Sequence, residues 1–185
     1  MTSDIPGRPP YLPGDRVPEE VERMIRVDHA GEYGAVRIYE GQLAVMRRGR
    51  ARDEIRRMAE QEARHLATFN QLMQSRRVRP TVLQPLWHMA GYALGAATAL
   101  LGEEAAMACT VAVEEVIDEH YHDQAERLGD ADPTLKQTIL AFRDDELAHR
   151  ARAIEHGALD TLGYDVISGV IKAGSRLAIW LSSRL

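Results

Sequence analysis

The sequence predicts an all-α protein. Three observations carry that prediction: apolar residues recur at offsets of 3, 4 and 7 along several long segments, no stretch sustains the alternation of a strand, and one arrangement of Glu and His occurs twice. The chain has 185 residues, 45% hydrophobic and 28% charged. That is enough for one domain with appendages and too apolar for disorder. Basic residues number 23 against 28 acidic, a net charge of −5 that argues against a dedicated nucleic-acid binder. The one cysteine, Cys109, rules out an internal disulfide framework and a cysteine-ligated zinc or iron–sulfur site, and it fits a reducing compartment.

The N-terminus carries Pro6, Pro9, Pro10 and Pro13 and has neither the apolar core of a signal peptide nor a transit-peptide pattern. Residues 1–18 are expected to form a mobile arm and residues 19–185 a single bundle. A first helix is expected over about residues 18–48, with Gly31 or Gly34 as a candidate break; Ile25, Glu32, Ala35, Val36, Tyr39, Leu43 and Met46 share one face. The second, about 51–76, repeats the pattern with Ile55, Met58, Glu62, His65, Phe69 and Leu72. Residues 80–102 follow, 23 residues with no Asp, Glu, Lys or Arg, the right length for a crossover. A third helix, about 102–128, ends near Gly129 and a turn at Asp130-Ala-Asp-Pro133. A fourth, about 133–159, lines up Leu135, Ile139, Phe142, Glu146, His149 and Ala153, and an apolar C-terminal segment runs over 166–181.

The repeat is the most informative feature. A single Glu on one helix precedes a Glu-x-x-His on the next, first as Glu32 and Glu62-Ala-Arg-His65, then as Glu114 and Glu146-Leu-Ala-His149. Short loop, long crossover and short loop describe a four-helix bundle of the ferritin-like kind, with further apolar helices able to face a membrane. Each acidic position interrupts an otherwise apolar stripe. Burying an unpaired carboxylate costs several kcal/mol or more, so four such Glu and two His demand a partner. Glu and His at i and i+3 point to one spot, and the six side chains match the ligand set described for two iron or manganese ions in such bundles. Glu114 is preferred over Glu115 because it shares a face with Val111, Ile117 and Tyr121. Asp145 is placed to orient His65 from outside, with Gln61 as its neutral counterpart in the first copy. Arg64 and Arg150 read as solvated charges.

The run Arg26-Val-Asp-His-Ala-Gly-Glu32-Tyr-Gly-Ala35 resembles the signature of the demethoxyubiquinone hydroxylase family, the di-iron monooxygenases of ubiquinone biosynthesis. Glu62-Ala-Arg-His65, Ala108-Cys-Thr-Val-Ala-Val-Glu-Glu115 and Asp145-Glu-Leu-Ala-His149 resemble its other motifs, in order. The resemblance spans about Arg23 to the C-terminus. It implies O₂-dependent hydroxylation of a polyprenyl 6-methoxy-3-methyl benzoquinol ring at two iron ions held by Glu32, Glu62, His65, Glu114, Glu146 and His149. His120 and Tyr121 match a His-Tyr pair that the family places near the quinone. No Gly-x-Gly-x-x-Gly or nucleotide-binding domain is present, so the chain does not name its electron source; the resemblance implies the reduced quinol itself, fed by NADH. The competing readings are a ferritin-like iron-storage protein and a di-manganese catalase.

A lipid-soluble substrate implies contact with a bilayer. Leu86 to Leu101 is apolar but shorter than the roughly 20 residues needed to span. Trp87, Tyr92 and the 167–181 stretch with Trp180 suit an interface. Ten Arg against four acids between residues 41 and 80 offer clusters that anionic lipid or an acidic partner protein can meet. The expected location is the cytoplasmic face of a bacterial inner membrane, as a peripheral protein, with other ubiquinone-biosynthesis proteins as possible partners.

Overall fold

The computed structural model describes residues 17–185, so all but the last two residues of the expected N-terminal arm lie outside the described residues. Six α-helices follow in order: α1 (Glu19–Val45), α2 (Arg50–Arg76), α3 (Gln84–Leu101), α4 (Glu103–Leu128), α5 (Pro133–Glu155) and α6 (Tyr164–Ser182). No strand occurs among the described residues. Helix α1 is unbroken through Gly31 and Gly34, contrary to the candidate kink there. Helix α5 ends at Glu155, four residues before the expected Leu159, because Gly157 turns the chain at φ 84 into a short 3-10 turn over Ala158–Asp160. Its start is capped by Asp132, whose carboxylate accepts a hydrogen bond from the Leu135 amide at 3.0 Å and pairs with the buried Arg76 of α2.

The crossover is itself a helix. Residues 80–102 enter α3 through Thr81 and Leu83, and α3 joins α4 through the single residue Gly102, whose φ of 128 and ψ of 170 form the sharp corner between them. Helix α3 lies against α1, as α6 lies against α4. The repeat therefore has three helices per copy rather than two. The small-residue composition of α3 follows from its packing on α1: a Cβ on Gly95 would sit 1.9 Å from the Ile38 carbonyl oxygen, and one on Gly41 would sit 2.2 Å from the Tyr92 carbonyl oxygen. Trp87 is tied down by its indole N–H, which donates to Ser182 Oγ at 3.0 Å, linking α3 to α6. No described helix is long and apolar enough to cross a membrane.

Helices α1, α2, α4 and α5 form the bundle, and its core divides into two apolar layers. Val21, Ile25, Phe69, Leu128, Leu135 and Ile139 fill one end. Tyr39, Ile55, Met58, Met107, Val111 and Ala153 fill the other. Between the layers, at the same height on all four helices, sit the interrupting Glu and His. Burying these layers offsets the free energy of holding polar groups at the waist.

Candidate metal centre

All four single or paired glutamates and both histidines of the repeat are buried, each no more than 2% exposed. They converge as two overlapping groups, Glu32, Glu62, His65 and Glu146 in one, and Glu62, Glu114, Glu146 and His149 in the other. Within each group one donor atom per residue lies within 4.8 Å of the rest. Glu62 and Glu146 belong to both. The arrangement has an approximate two-fold relation: Glu32 with His65 faces Glu114 with His149 across the shared pair.

The ring nitrogens define the geometry. His65 Nδ1 is 3.2 Å from Glu146 Oε1 and 3.5 Å from Glu32 Oε2, while its Nε2–H donates to Asp145 Oδ2 at 3.1 Å. His149 Nδ1 is 3.0 Å from Glu146 Oε2 and 3.1 Å from Glu62 Oε1, and its Nε2–H donates to Gln61 Oε1 at 3.2 Å. With the outer nitrogen carrying the proton and a metal in the cluster, each Nδ1 would present a lone pair to it. The structure thus places Asp145 and Gln61 behind the histidines of the opposite copies, as the sequence suggested. Phe142 stacks on His65 with ring centroids 3.9 Å apart, which fixes its plane.

The donor set suits divalent iron or manganese on the chemistry of its own atoms. Glu32 Oε2, Glu62 Oε1, His65 Nδ1, Glu114 Oε2 and Glu146 Oε1 are buried without a hydrogen-bond partner. Buried polar atoms are otherwise almost always paired, so five together at one point mark a place for a cation. Burial, and then the charge of the neighbouring glutamates, pushes the Glu62 carboxyl well above the usual carboxylate range; burial does the same for Glu114 and raises Glu146. In the metal-free cluster, burial works against a charge on His65, but the facing carboxylates of Glu146 and Glu32 outweigh it and lift the ring to about 10. Oxygen-rich ligation with one nitrogen per metal is the choice of iron and manganese rather than of a closed structural zinc site.

Two tyrosines complete the two-fold pattern. The Tyr121 hydroxyl donates to Glu32 Oε1, and the Tyr39 hydroxyl donates to Glu114 Oε1 at 2.9 Å. Tyr39 escaped the sequence reading as a site residue. It was legible there, because it stands seven residues after Glu32 as Tyr121 stands seven after Glu114. Asp28 was missed as well. It lies one turn before Glu32, 2% exposed, and accepts a hydrogen bond from His120 Nε2 at 3.2 Å, with Gln124 beside the pair. His120 is thereby held from α1. Glu115 lies outside the cluster and pairs with Arg150 and Lys172, so Arg150 is an ion-pair partner rather than a solvated charge.

An apolar cavity of about 470 Å³ lies among α1, α3, α4 and α6, the four helices brought together by the third member of each repeat. Glu32 and Tyr121 stand in its wall, Ile38, Leu94, Ile117 and Ile171 supply apolar surface, and Trp87 lines it too. Its walls thus run from the metal cluster to the outer face where Val170 is 69% exposed.

A bundle that buries two Glu-x-x-His pairs and two single glutamates at its waist is a ferritin-like carboxylate–histidine protein. Within that class the chain belongs to the family described as "Ubiquinone biosynthesis protein COQ7", which matches residues 19–182. It is 57% identical over 176 residues to a 3-demethoxyubiquinol 3-hydroxylase of Rhodospirillum rubrum, covering 94% of this chain and 83% of that one. It is 54% identical over 169 residues to the human mitochondrial NADPH-dependent 3-demethoxyubiquinone 3-hydroxylase, covering 89% of this chain and 78% of that one. The yeast mitochondrial 5-demethoxyubiquinone hydroxylase is 43% identical over 182 residues, covering 89% and 78% respectively. The family is one of hydroxylating enzymes, which removes the storage and catalase readings. The human relative's name specifies NADPH where the sequence reading expected NADH or the quinol.

Proposed function

We propose that this protein hydroxylates the ring of a polyprenyl 6-methoxy-3-methyl-1,4-benzoquinol, using O₂, at a di-iron centre held by Glu32, Glu62, His65, Glu114, Glu146 and His149. The observation that carries the proposal is one juxtaposition: two overlapping buried donor sets sharing Glu62 and Glu146, with an apolar cavity whose wall includes Glu32. Two iron ions bound there supply the redox chemistry that activates O₂.

The chain's own residues do the rest. Glu32, Glu62, His65, Glu114, Glu146 and His149 would hold the two ions, with Glu62 and Glu146 belonging to both donor groups. Asp145 and Gln61 hold the two imidazoles with Nδ1 turned inward, so that ligation costs little reorganisation. The apolar walls exclude water around the ring and its tail, and Tyr121 and His120 stand among the few polar groups of the wall, with Asp28 and Glu32. Tyr121 restrains Glu32 through its hydroxyl, and Asp28 fixes the ring of His120 in the cavity wall. A reduced pyridine nucleotide or the quinol itself provides the electrons.

The substrate's lipid tail points to a peripheral position on the cytoplasmic face of the membrane. Support comes from the outer faces of α3 and α6, where Leu86, Met89, Val166, Val170 and Leu177 are exposed together. Single-turnover chemistry tests the reading. Protein loaded with two Fe(II) per chain is expected to convert a short-tailed demethoxyquinol to its hydroxylated product on admission of O₂, detected by mass spectrometry. Protein that holds two Fe and yields no product refutes it.

A further inference from the structure

Apart from the turn glycines, the glycines inside α1, α3 and α6 fall into two kinds, and one of them has no packing reason to be glycine. Gly41, Gly91 and Gly95 stand where α1 and α3 touch; a Cβ on any of them would lie within 3.0 Å of a heavy atom of the facing helix. Gly31 and Gly34 in α1 and Gly174 in α6 are different. Each lies inside a helix with an ordinary backbone, and a Cβ built on any of them meets nothing within 4 Å. All three line the apolar cavity, Gly31 directly before Glu32 and Gly34 nearly one turn further along. Alanine there would relieve the entropic disadvantage that glycine brings to a helix interior and would touch no protein atom. Where such glycines line the wall of one cavity, the space they leave open is available to something outside the protein.

We infer that Gly31, Gly34 and Gly174 set the bore of the cavity and are specificity-determining positions for a flat quinol ring carrying a polyprenyl tail. The inference rests on the substrate class proposed above. A methyl group takes up about the volume of one water molecule in the liquid, roughly 30 Å³. Three of them would remove about a fifth of a cavity of about 470 Å³. The loss at Gly31 and Gly34 falls beside Glu32, where the ring has to approach the metal cluster. One methylene of misfit in an apolar pocket typically changes discrimination by about ten-fold or more.

The test separates stability from binding. Gly31→Ala, Gly34→Ala and Gly174→Ala are compared with the unchanged protein and with Gly169→Ala, an exposed α6 glycine whose Cβ also meets nothing and which does not line the cavity. Melting temperature is read by circular dichroism. Binding of a decyl-tailed 6-methoxy-3-methyl-1,4-benzoquinone is read by quenching of the fluorescence of Trp87, in a Trp180→Phe background and without turnover. All four variants are expected to melt at or roughly 1–4 °C above the unchanged protein. Gly31→Ala and Gly34→Ala are expected to weaken quinone binding about ten-fold, Gly174→Ala by less, and Gly169→Ala not at all. Variants that melt as expected and bind as the unchanged protein does overturn the inference, as do cavity variants that melt several degrees lower, since the space was then not open. If the unchanged protein itself shows no saturable quenching by the quinone, the substrate reading fails rather than the assignment of the glycines.

Discussion

Replacing Glu62 by Gln keeps the size and shape of a side chain that is 1% exposed and removes one negative charge from a cluster of four carboxylates. In the metal-free protein that charge is harmful. Donor atoms within 4.8 Å of one another repel by about 3 kcal/mol per pair of full charges at an effective dielectric constant of about 20. The apo cluster relieves this by holding protons: burial and the neighbouring glutamates raise the pKa of Glu62, and burial raises those of Glu114 and Glu146. A carboxyl whose pKa is raised on folding contributes its full stability below the unfolded value of about 4.5 and loses it progressively as pH rises toward the folded value. The stability advantage of Glu62→Gln over the unchanged apo protein is therefore expected to grow with pH, reaching up to about 3 kcal/mol near pH 8. For a chain of this size that is roughly 6–12 °C in Tm. With Fe(II) or Mn(II) the order reverses, because the unchanged protein gains both ions and the variant lacks a ligand common to both. Calorimetric melting of both proteins at pH 5 and pH 8, with and without metal, makes the comparison. Equal apo stabilities at both pH values together with equal metal-induced shifts would refute the shared-ligand reasoning.

Four further outcomes follow from named contacts. Asp145→Ala leaves His65 Nε2 without its acceptor and is expected to weaken metal affinity 10–100-fold, with Gln61→Ala weaker in effect because a neutral amide orients less strongly; manganese binding followed by electron paramagnetic resonance measures both. Metal affinity of the unchanged protein should rise between pH 5 and pH 8, since each ion displaces protons from glutamates whose pKa values are raised, and titration calorimetry in buffers of different ionisation enthalpy counts them. Asp132→Ala removes the cap of α5 and the carboxylate paired with the buried Arg76, with an expected loss of about 3–5 kcal/mol in denaturant unfolding. Gly95→Ala drives a methyl into the Ile38 carbonyl oxygen and is expected to lower Tm by several degrees, the opposite sign from Gly31→Ala.

Much of the site was legible in the chain because its signal is local. Glu62 with His65 and Glu146 with His149 are i and i+3 pairs, and any helix brings such pairs to one spot. Glu32 and Glu114 betray themselves by interrupting apolar stripes, and the doubling of the whole pattern turns four weak hints into one strong one. Asp145 and Gln61 were readable from their place beside the pairs. Tyr39 and Asp28 were not read, since a tyrosine in a stripe is ordinary core and an acid one turn from Glu32 gains meaning only once His120 of α4 is seen against it.

Local sequence was enough for the helical class, the four bundle helices and the six Glu and His that converge, because periodicity and residue chemistry are properties of short segments. Where the apolar helices dock was not legible there and was decided by tertiary structure: the crossover helix α3 packs on α1, and its counterpart α6 packs on α4. The same packing made the third helices walls of a cavity that reaches Glu32. Whether glycine marks a close contact or an open space is also decided there. Gly95 and Gly34 look alike in a sequence, and only the backbone that faces each of them tells packing from vacancy.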